Sequence, residues 1–358
     1  MKILHVIPQV WIGNGAAKVL LDLVTYQAKE YSEVSVVTLS DMRPSLEYEI
    51  KNAGCKFKSL YGNCYNPLLV FKLIKEIIKY DLIHVHLFPS LYWIAIAKLF
   101  VTSNIKFVYT EHSARNNRQK VPFLKYFERF IYCQYDRIIA VSNAVKLSLT
   151  KRGIPKDKID VVYNGVVVSD EELKRSIDRE DIDIPDNAFL ITQVSRFYPQ
   201  KDQSTLIRAL SLLPNNCYVV FIGDGPLLYR NIELAKKLSV YQRIRFLGAR
   251  RDVIPIMKAS DVIVLSTHYE GFCISLLEAL MVGKPVVASK VEGVDEALEN
   301  AGILCEPMNE RDFSSAIFKL MNNNDYYNLI SERCHDRGKC FTAKSMSTSN
   351  MNIYNNLE

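Results

Sequence analysis

The chain has 358 residues, 49% of them hydrophobic, which is ample for a buried core and suggests two domains of ordinary size. Its eight cysteines are scattered without a CxxC or Cys/His ligand spacing, so they indicate neither a zinc site nor a disulfide framework and favour a reducing, cytoplasmic setting. The formal net charge is +6, and no apolar run is long enough to predict a membrane-spanning helix or a secretion signal.

Runs of β-branched and other apolar residues recur along the chain, with helical stretches between them. Continuous runs without polar alternation are typical of parallel strands buried on both faces. A charged stretch, 169–187, is predicted to be a linker or surface segment between two series of runs. The sequence therefore predicts an α/β protein of two doubly wound domains, 1–168 and 169–340. The predicted strands are 2–7, 34–39, 81–86, 105–110, 137–142 and 159–164, then 189–195, 217–223, 243–248, 261–266 and 285–289.

In open parallel sheets, ligands bind at the carboxyl ends of the strands, so the residues that follow each strand matter most. The first strand is followed by a turn with Gly13 and Gly15, which opens a helix and allows close backbone approach, although such turns are also common structural devices. His84, His86 and His112 lie at the ends of two later strands and could bind a metal. No carboxylate completes a ligand spacing, so we expect no metal, structural roles for the first two, and a substrate contact for His112.

Two loops of the second domain also follow strands. In "SRFYPQKD", Arg196 and Lys201 lie between a strand and a helix that Asp202 is predicted to cap. Two cations beside helix N–H groups suit a diphosphate, whose negative charge grows as it departs; the alternative is a pair of surface cations. The turn "GDGP", with Gly223 and Gly225, fits either a wall of a nucleotide site or a plain turn.

The stretch "HYEGFCISLLEAL" contains two acids, Glu270 and Glu278, with a glycine between them. Glu270 follows a predicted strand, whereas Glu278 lies in a helix predicted from about 274 to 282, so both could reach one ligand from different directions. A carboxylate accepts two hydroxyl hydrogen bonds, which suits a sugar or a ribose diol. The alternative is a pair of solvated helix acids.

Residues 115–158 hold eleven Lys and Arg residues against three acids, an excess that suits nucleic acid, anionic lipid, a phosphorylated substrate or simply a solvated surface. No recognisable nucleic-acid-binding module accompanies the charge, so we expect no nucleic-acid partner. Within this segment, 115–137 alternates cations such as Arg118, Lys120 and Lys125 with apolar residues at helical spacing. The pattern predicts either an interfacial helix docked on an anionic membrane or a packed helix with a solvated basic edge.

Several motifs in order along the chain resemble those of the family-4 group of retaining glycosyltransferases, which have the two-domain GT-B architecture. They are the glycine loop at 13–15, "TEHS" at 110–113, "AVSNAVK" at 140–146, "VVYNGV" at 161–166, "SRFYPQKD", "GDGP", "EGFCISLLEAL" and "ASKVEGVDEAL" at 288–298. The resemblance covers nearly the whole chain. It implies two Rossmann-like domains that face each other across a cleft, with the acceptor in the N-terminal domain and the donor in the other. The last helix, about 341–358, would return to the N-terminal domain.

The same resemblance implies a role for each candidate residue. Arg196 and Lys201 would hold the diphosphate, Glu278 the ribose hydroxyls, and Glu270 the donor sugar, with His112 near the transferring sugar. The predicted catalytic residues are therefore His112, Arg196, Lys201 and Glu270. The donor-binding set adds Gly13, Gly15, Gly223, Gly225, Gly271, Phe272, Cys273 and Glu278, and the floor between the domains would include Asn164 and Gly165.

We therefore expect a retaining glycosyltransferase that uses a nucleoside-diphosphate sugar and a sugar or lipid-linked saccharide acceptor. Capsule, O-antigen, lipopolysaccharide or glycolipid assembly is the expected pathway. No cofactor or metal is expected, and the protein would be cytoplasmic, with peripheral contact to the inner face of the membrane. The alternatives are a nucleotide-sugar epimerase on a similar scaffold and a non-catalytic protein that binds lipid or nucleic acid.

Overall fold

The computed structural model describes residues 1–41, 44–101, 104–115, 122–175 and 177–357, with the backbone alone for 122–125. The chain forms two compact units. Unit 1 comprises Met1–Gly165 and Thr342–Glu358, and unit 2 comprises Val166–Phe341. The chain thus leaves unit 1 once and returns to it for its last helix.

Unit 1 is built on a parallel sheet whose central strands are almost completely buried, as their continuous apolar runs require. The strands are β1 (Lys2–Ile7), β2 (Glu33–Thr38), β3 (Lys56–Ser59), β4 (Leu82–His86), β5 (Lys106–Glu111), β6 (Arg137–Ala140) and β7 (Ile159–Val161). Their order in the sheet is β3-β2-β1-β4-β5-β6-β7. The helices between them are α1 (Gly15–Glu30), α2 (Glu47–Asn52), α3 (Leu69–Ile77), α4 (Ser90–Lys98), α5 (Pro122–Cys133) and α6 (Asn143–Lys151).

Unit 2 repeats the design with a second parallel sheet. Its strands are β8 (Phe189–Val194), β9 (Cys217–Ile222), β10 (Ile244–Phe246), β11 (Val262–Leu265), β12 (Val286–Ser289) and β13 (Ile303–Cys305), in the order β10-β9-β8-β11-β12-β13. The helices are α7 (Asp170–Lys174), α8 (Gln203–Ser211), α9 (Leu228–Lys237), α10 (Val253–Ala259), α11 (Ile274–Val282), α12 (Glu292–Leu298), α13 (Glu310–Asn322) and α14 (Asn324–Gly338).

The last helix, α15 (Ala343–Asn355), belongs to unit 1 and packs against α1. Gly165 lies against its start: a Cβ at this position would be 2.2 Å from the backbone oxygen of Thr342, too close for any side chain. The amide of Gly165 also donates to the sulfur of Met346 at 3.2 Å. A glycine is therefore required where the chain leaves unit 1, because the returning chain occupies the space of a side chain.

The predicted α/β fold with two doubly wound sheets is confirmed, and every predicted strand is present. The two strands that the prediction missed, β3 and β13, are edge strands. β3 reads "KFKS" and β13 has only three residues, so neither supplies a long apolar run. In the described part of the chain, no helix has both the length and the apolarity that crossing a membrane requires.

The segment 169–187 lies mostly on the surface, as predicted, but it also contains α7 and contributes Ile182 and Ile184 to the core of unit 2. These side chains are 3% and 2% exposed and pack with Leu190 and Val220. Two isolated apolar residues among acids give no periodic signal, although they are enough to anchor a segment once a core is beside them.

Candidate active site

The loop that joins β8 to α8 carries two of the predicted residues of unit 2, Arg196 and Lys201. Its end is held by Asp202, which caps α8 as predicted. The side-chain amide of Gln203 reaches back and donates to the carbonyl oxygen of Arg196 at 3.0 Å. The Arg196 side chain is exposed, and its guanidinium lies over the Tyr198 ring, 4.8 Å from the ring centroid. The loop backbone is therefore constrained, while its arginine faces water.

The glycine turn after β9 packs against the backbone of this loop. Gly223 and Gly225 have φ values of +139° and +153°. A Cβ on Gly223 would lie 2.2 Å from the carbonyl oxygen of Ser195, and a Cβ on Gly225 would lie 2.6 Å from that of Phe197. The amide of Phe197 in turn donates to the carbonyl oxygen of Asp224 at 2.9 Å. These two glycines are thus required by backbone-to-backbone packing that positions the Arg196 loop.

Lys201 and Glu270 form a buried ion pair in unit 2. The ammonium of Lys201 contacts Oε1 of Glu270, and the two side chains are only 14% and 6% exposed. The ammonium also lies 3.7 Å from the sulfur of Cys273. Burial by itself lowers the pKa of Lys201, but the neighbouring Cys273 and Glu270 together raise it above its ordinary value. Burial raises the pKa of the Cys273 thiol. Lys201 is therefore a cation held in place by one carboxylate in a nearly dry site.

Other residues hold Glu270 in position, and the sequence prediction missed them. Oγ1 of Thr267 donates to Oε1 of Glu270 at 2.9 Å, and the side-chain amide of Gln200 approaches Oε2 at 3.4 Å. Gly293 packs against the same backbone, because a Cβ there would lie 2.7 Å from the carbonyl oxygen of Glu270. Thr267 and Gln200 are ordinary polar residues in loops, so nothing in their local pattern indicates this role.

The remaining candidates of unit 2 lead into α11 or lie on it. Gly271, Phe272 and Cys273 are buried, and Cys273 is the residue that precedes the first turn of the helix. Free N–H groups of a first turn favour negative charge. Glu278 is half-buried on the same helix, which ends at 282 as predicted. Unit 2 thus places one buried carboxylate before α11 and one half-buried carboxylate within it.

Unit 1 contains the other predicted residues. Gly13 lies in the turn after β1, and Gly15 is the first residue of α1. Asn164 is buried beside Gly165, at the point where the chain leaves the unit. His112 directly follows β5.

Three buried histidines of unit 1, His5, His84 and His86, have ring nitrogens within 4.8 Å of one another. His5 was not predicted, because a single histidine inside an apolar strand gives no signal. The arrangement suits a metal in ligand type, but hydrogen bonds already engage the ring nitrogens. A metal would have to displace several of these bonds. The partners of the three rings, besides one another, are Gln27, Thr110, His112 and Tyr354.

Part of the basic segment lies outside the described residues, including Arg118, Lys120 and the side chain of Lys125. The described part of α5 has two faces. Ile131 is completely buried, whereas the aromatic side chains of Tyr126, Phe127 and Phe130 are exposed by 77%, 42% and 48%. The helix therefore packs on unit 1 and also presents an aromatic surface.

Family models match both halves of the chain. Residues 13–170 match the model described as Glycosyltransferase Family 4, and residues 174–337 match the one described as Glycosyl transferases group 1. The chain is a family-4 glycosyltransferase. The predicted family, the GT-B fold and the enzyme class are therefore confirmed, and glycosyltransferases of this family retain the anomeric configuration.

Two relatives of this glycosyltransferase are similar over most of their length. One is the UDP-Gal:alpha-D-GlcNAc-diphosphoundecaprenol alpha-1,3-galactosyltransferase of Escherichia coli, 27% identical over 79% of this chain and 76% of the relative. The other is the N-acetyl-alpha-D-glucosaminyl L-malate synthase of Bacillus anthracis, 26% identical over 72% of this chain and 69% of the relative. Among solved structures, HepE of Anabaena in complex with UDP and glucose has a TM-score of 0.87 at 21% identity, with 99% of this chain and 100% of HepE covered.

Proposed function

We propose that this glycosyltransferase moves a sugar from a nucleoside-diphosphate sugar to a lipid-linked saccharide in the assembly of a cell-surface polysaccharide or glycolipid. The buried pair of Lys201 and Glu270 carries the proposal. A fixed ammonium in a nearly dry site suits a diphosphate leaving group, and a buried carboxylate suits the hydroxyls of a sugar. Two comparisons support this choice: the E. coli relative is named for a UDP-galactose donor and a diphosphoundecaprenol-linked acceptor, and HepE was solved with UDP.

In the proposed reaction, the bond from the anomeric carbon to the diphosphate oxygen breaks while the bond to the acceptor oxygen forms on the same face of the sugar. The proton of the acceptor hydroxyl passes to an oxygen of the departing diphosphate, so the step needs neither a protein base nor a metal. Arg196, Lys201 and the first-turn N–H groups of α11 stabilise the negative charge that develops on the diphosphate. Glu278 binds the ribose, Glu270 binds the donor sugar, and His112 contacts the transferring sugar.

The two cations contribute differently to this reaction. Glu270 already neutralises Lys201, so the pair adds little net charge to the surface of unit 2. Its contribution is a positive group whose position is set before any donor arrives. Arg196 is exposed, so its guanidinium can meet the donor in water and bring the diphosphate to the loop.

The test begins with a screen of nucleotide sugars for thermal stabilisation, followed by transfer assays with lipid-diphosphate-linked saccharides. We expect one donor class to stabilise the protein, its sugar to appear in the product with retained configuration, and a chelator to leave the rate largely intact. Glu278→Gln should weaken donor binding by about 1.5–3 kcal/mol, the value of a hydrogen bond to a charged group, without changing the melting temperature in the absence of donor. Conversion of the donor without an acceptor would instead identify an epimerase, and unchanged donor affinity would remove Glu278 from the site.

We also propose that the exposed face of α5 docks on an anionic membrane, where a lipid-linked acceptor is available. The aromatic rings of this face continue across unit 1: Phe127 meets Tyr92 with ring centroids 5.4 Å apart, and Tyr92 meets Phe88 at 5.1 Å. Arg129 is exposed on the same helix. Exposed aromatic side chains on a helix that also carries cations are what a membrane interface binds.

Sedimentation with anionic and neutral vesicles tests this docking. We expect binding to anionic vesicles that weakens as salt is raised from low to physiological concentration. Tyr126→Ser should reduce it, whereas Tyr229→Ser should not, because Tyr229 is a similarly exposed tyrosine of unit 2, at 79% against 77%. Failure to bind either vesicle type, at both salt concentrations, would leave a freely diffusing acceptor as the better interpretation.

A further inference from the structure

A chain of hydrogen bonds runs from helix α1 through the sheet of unit 1 to His112. It begins at Oε1 of Gln27, which lies 2.7 Å from Nε2 of His5. Nδ1 of His5 is 3.1 Å from Nε2 of His86, and Nδ1 of His86 is 3.4 Å from Nε2 of His112. Gln27 is completely buried, so its side-chain amide cannot replace these hydrogen-bond partners with water. Each ring thus uses one nitrogen toward Gln27 and the other toward His112.

A second branch leaves the same amide toward the last helix of the chain. The side-chain nitrogen of Gln27 donates to the hydroxyl of Tyr354, on α15, at 3.1 Å. That hydroxyl lies 2.6 Å from Nδ1 of His84, and Nε2 of His84 lies 2.6 Å from Oγ1 of Thr110. Tyr354 has no exposed surface, so the C-terminal helix closes this network against water.

All four rings of the two branches are neutral at neutral pH. Burial lowers the pKa of His5 and of His112 to about 4. Burial, with the neighbouring histidines, holds the pKa of His84 and His86 well below the ordinary value. A neutral imidazole has one donor nitrogen and one acceptor nitrogen, so a proton assigned at one end of such a chain determines every proton along it.

The orientation of the Gln27 amide supplies that assignment. Because its oxygen faces His5, Nε2 of His5 is the donor and Nδ1 is the acceptor. Nε2 of His86 must then donate to His5, which leaves Nδ1 of His86 to accept from Nε2 of His112. In the other branch, the Tyr354 hydroxyl accepts from Gln27, donates to His84, and so sets the His84 proton on the nitrogen that faces Thr110. Each of these hydrogen bonds has one donor and one acceptor in this arrangement, and reversing the Gln27 amide would reverse all of them together.

We propose that Gln27, His5 and His86 are positioning residues that hold His112 in one tautomer, with its proton on Nε2 and Nδ1 as the acceptor for a substrate hydroxyl. The inference rests on the proposed contact between His112 and the transferring sugar. It gives the buried histidines a role other than metal binding or simple packing. It also makes the last helix part of the network, since the Tyr354 hydroxyl accepts a hydrogen bond from the amide of Gln27.

The experiment compares two tyrosine variants of the full chain, Tyr354→Phe and Tyr135→Phe. Both delete one hydroxyl from a tyrosine of unit 1 that is at most 1% exposed, but the Tyr135 hydroxyl donates to the carbonyl oxygen of Leu91 and is not part of the network. Nitrogen NMR of the six isotopically labelled histidines reads the tautomer of each ring directly, without substrate. His268 and His335, in unit 2, serve as internal references.

We expect the unsubstituted protein to show His112 protonated on Nε2 alone. In Tyr354→Phe, the side-chain nitrogen of Gln27 loses its acceptor, so both orientations of the amide should become populated. The two nitrogen signals of His112 should then move toward each other, although Tyr354 does not touch this ring. Turnover should fall in proportion to the population that retains the Nε2 proton, about twofold when the two tautomers are equally populated. Tyr135→Phe should change neither the His112 signals nor turnover.

Three results would overturn the proposal: His112 protonated on Nδ1 in the unsubstituted protein, His112 signals that Tyr354→Phe leaves unchanged, or signals that both variants move equally. Stoichiometric metal in the purified protein would also overturn it, because a metal takes the lone pairs that the chain of hydrogen bonds requires. A tautomer change with unchanged turnover would uphold the network and refute the contact between His112 and the substrate.

Discussion

The buried ion pair of unit 2 predicts an unusual pattern of stability and activity in three variants. Lys201→Met removes the cation, Glu270→Gln removes the anion, and the double variant removes both charges while nearly preserving volume. Sequence reasoning treated these residues as two separate contacts to the donor, and on that basis each single variant should lose turnover with little loss of stability. Their contact within the folded protein changes that expectation.

The expected losses of unfolding free energy follow from the burial of the two side chains. The Lys201 and Glu270 side chains are 14% and 6% exposed, so either charge left alone is poorly solvated. After Lys201→Met, the carboxylate keeps only the Thr267 hydroxyl at 2.9 Å and the Gln200 amide at 3.4 Å as donors among the contacts described above. We expect the free energy of unfolding of unit 2 to fall by about 3 kcal/mol at neutral pH in this variant. The double variant should lose less than Lys201→Met, because it leaves no buried charge unpaired.

The effect of pH has a definite sign. In the unsubstituted protein, the raised pKa of Lys201 means that the pair stabilises the fold fully below the ordinary lysine pKa of about 10.4 and loses that contribution as pH rises through the raised value.

Denaturant unfolding resolves the two units, because both tryptophans, Trp11 and Trp93, lie in unit 1. Tryptophan fluorescence then follows unit 1 alone, while circular dichroism follows both units. We expect the three variants to leave the denaturant midpoint of the fluorescence transition unchanged. The unfolding of unit 2, which circular dichroism detects, should shift to a lower denaturant concentration. Transfer activity should be lost in all three, including the well-folded double variant. A Lys201→Met protein within about 0.5 kcal/mol of the unsubstituted one, or a double variant as unstable as Lys201→Met, would refute the reasoning.

Two further expectations concern the glycine turn and the histidines. Gly225→Ala should reduce donor affinity as well as stability, because its Cβ would displace the loop of Arg196. Gly248→Ala, also at positive φ (+67°), should cost only about 1 kcal/mol of backbone strain, because nothing lies within 4 Å of its Cβ. Equal effects of the two variants would contradict the role of the turn. Because the folded-state pKa of His5 and His112 is about 4, below the unfolded value of about 6.5, unit 1 should lose roughly 1.4 kcal/mol per group for each pH unit between those values as the solution is acidified. A tryptophan-detected midpoint that does not change between pH 7 and pH 5 would contradict that assignment.

The fold was predictable because its signal is local. A strand buried on both faces needs four to six consecutive apolar residues, and such runs stand out in the sequence. The helix cap at Asp202 was predictable for the same reason, since a cap and its first turn are neighbours in the chain. β3, β13 and Ile182 were missed because each of these segments is held by only one or two apolar residues, which form no run.

The candidate site was predictable only as a set of residues at strand ends, together with the roles that the family resemblance implies. The glycine turn at 223–225 shows the limit. Its sequence indicates a turn after a strand, but the reason for glycine is the backbone of the 195–197 loop, which lies against it from a different part of unit 2. The pairing of Lys201 with Glu270, 69 positions apart, is equally invisible in the sequence.

Buried ion pairs and buried neutral networks differ in how easily sequence reasoning finds them. The members of the Lys201–Glu270 pair are charged, and charged residues attract attention wherever they follow a strand. The histidine network of unit 1 is neutral, and Gln27, His5 and Tyr354 give no local signal until the fold brings them together. Gln27 and Tyr354 are 327 positions apart, on the helices α1 and α15, and their contact exists only because the chain returns to unit 1. A neutral network of this kind has no compositional signature, because its members are single residues far apart in the chain. Only the complete set of donors and acceptors distinguishes it from packing.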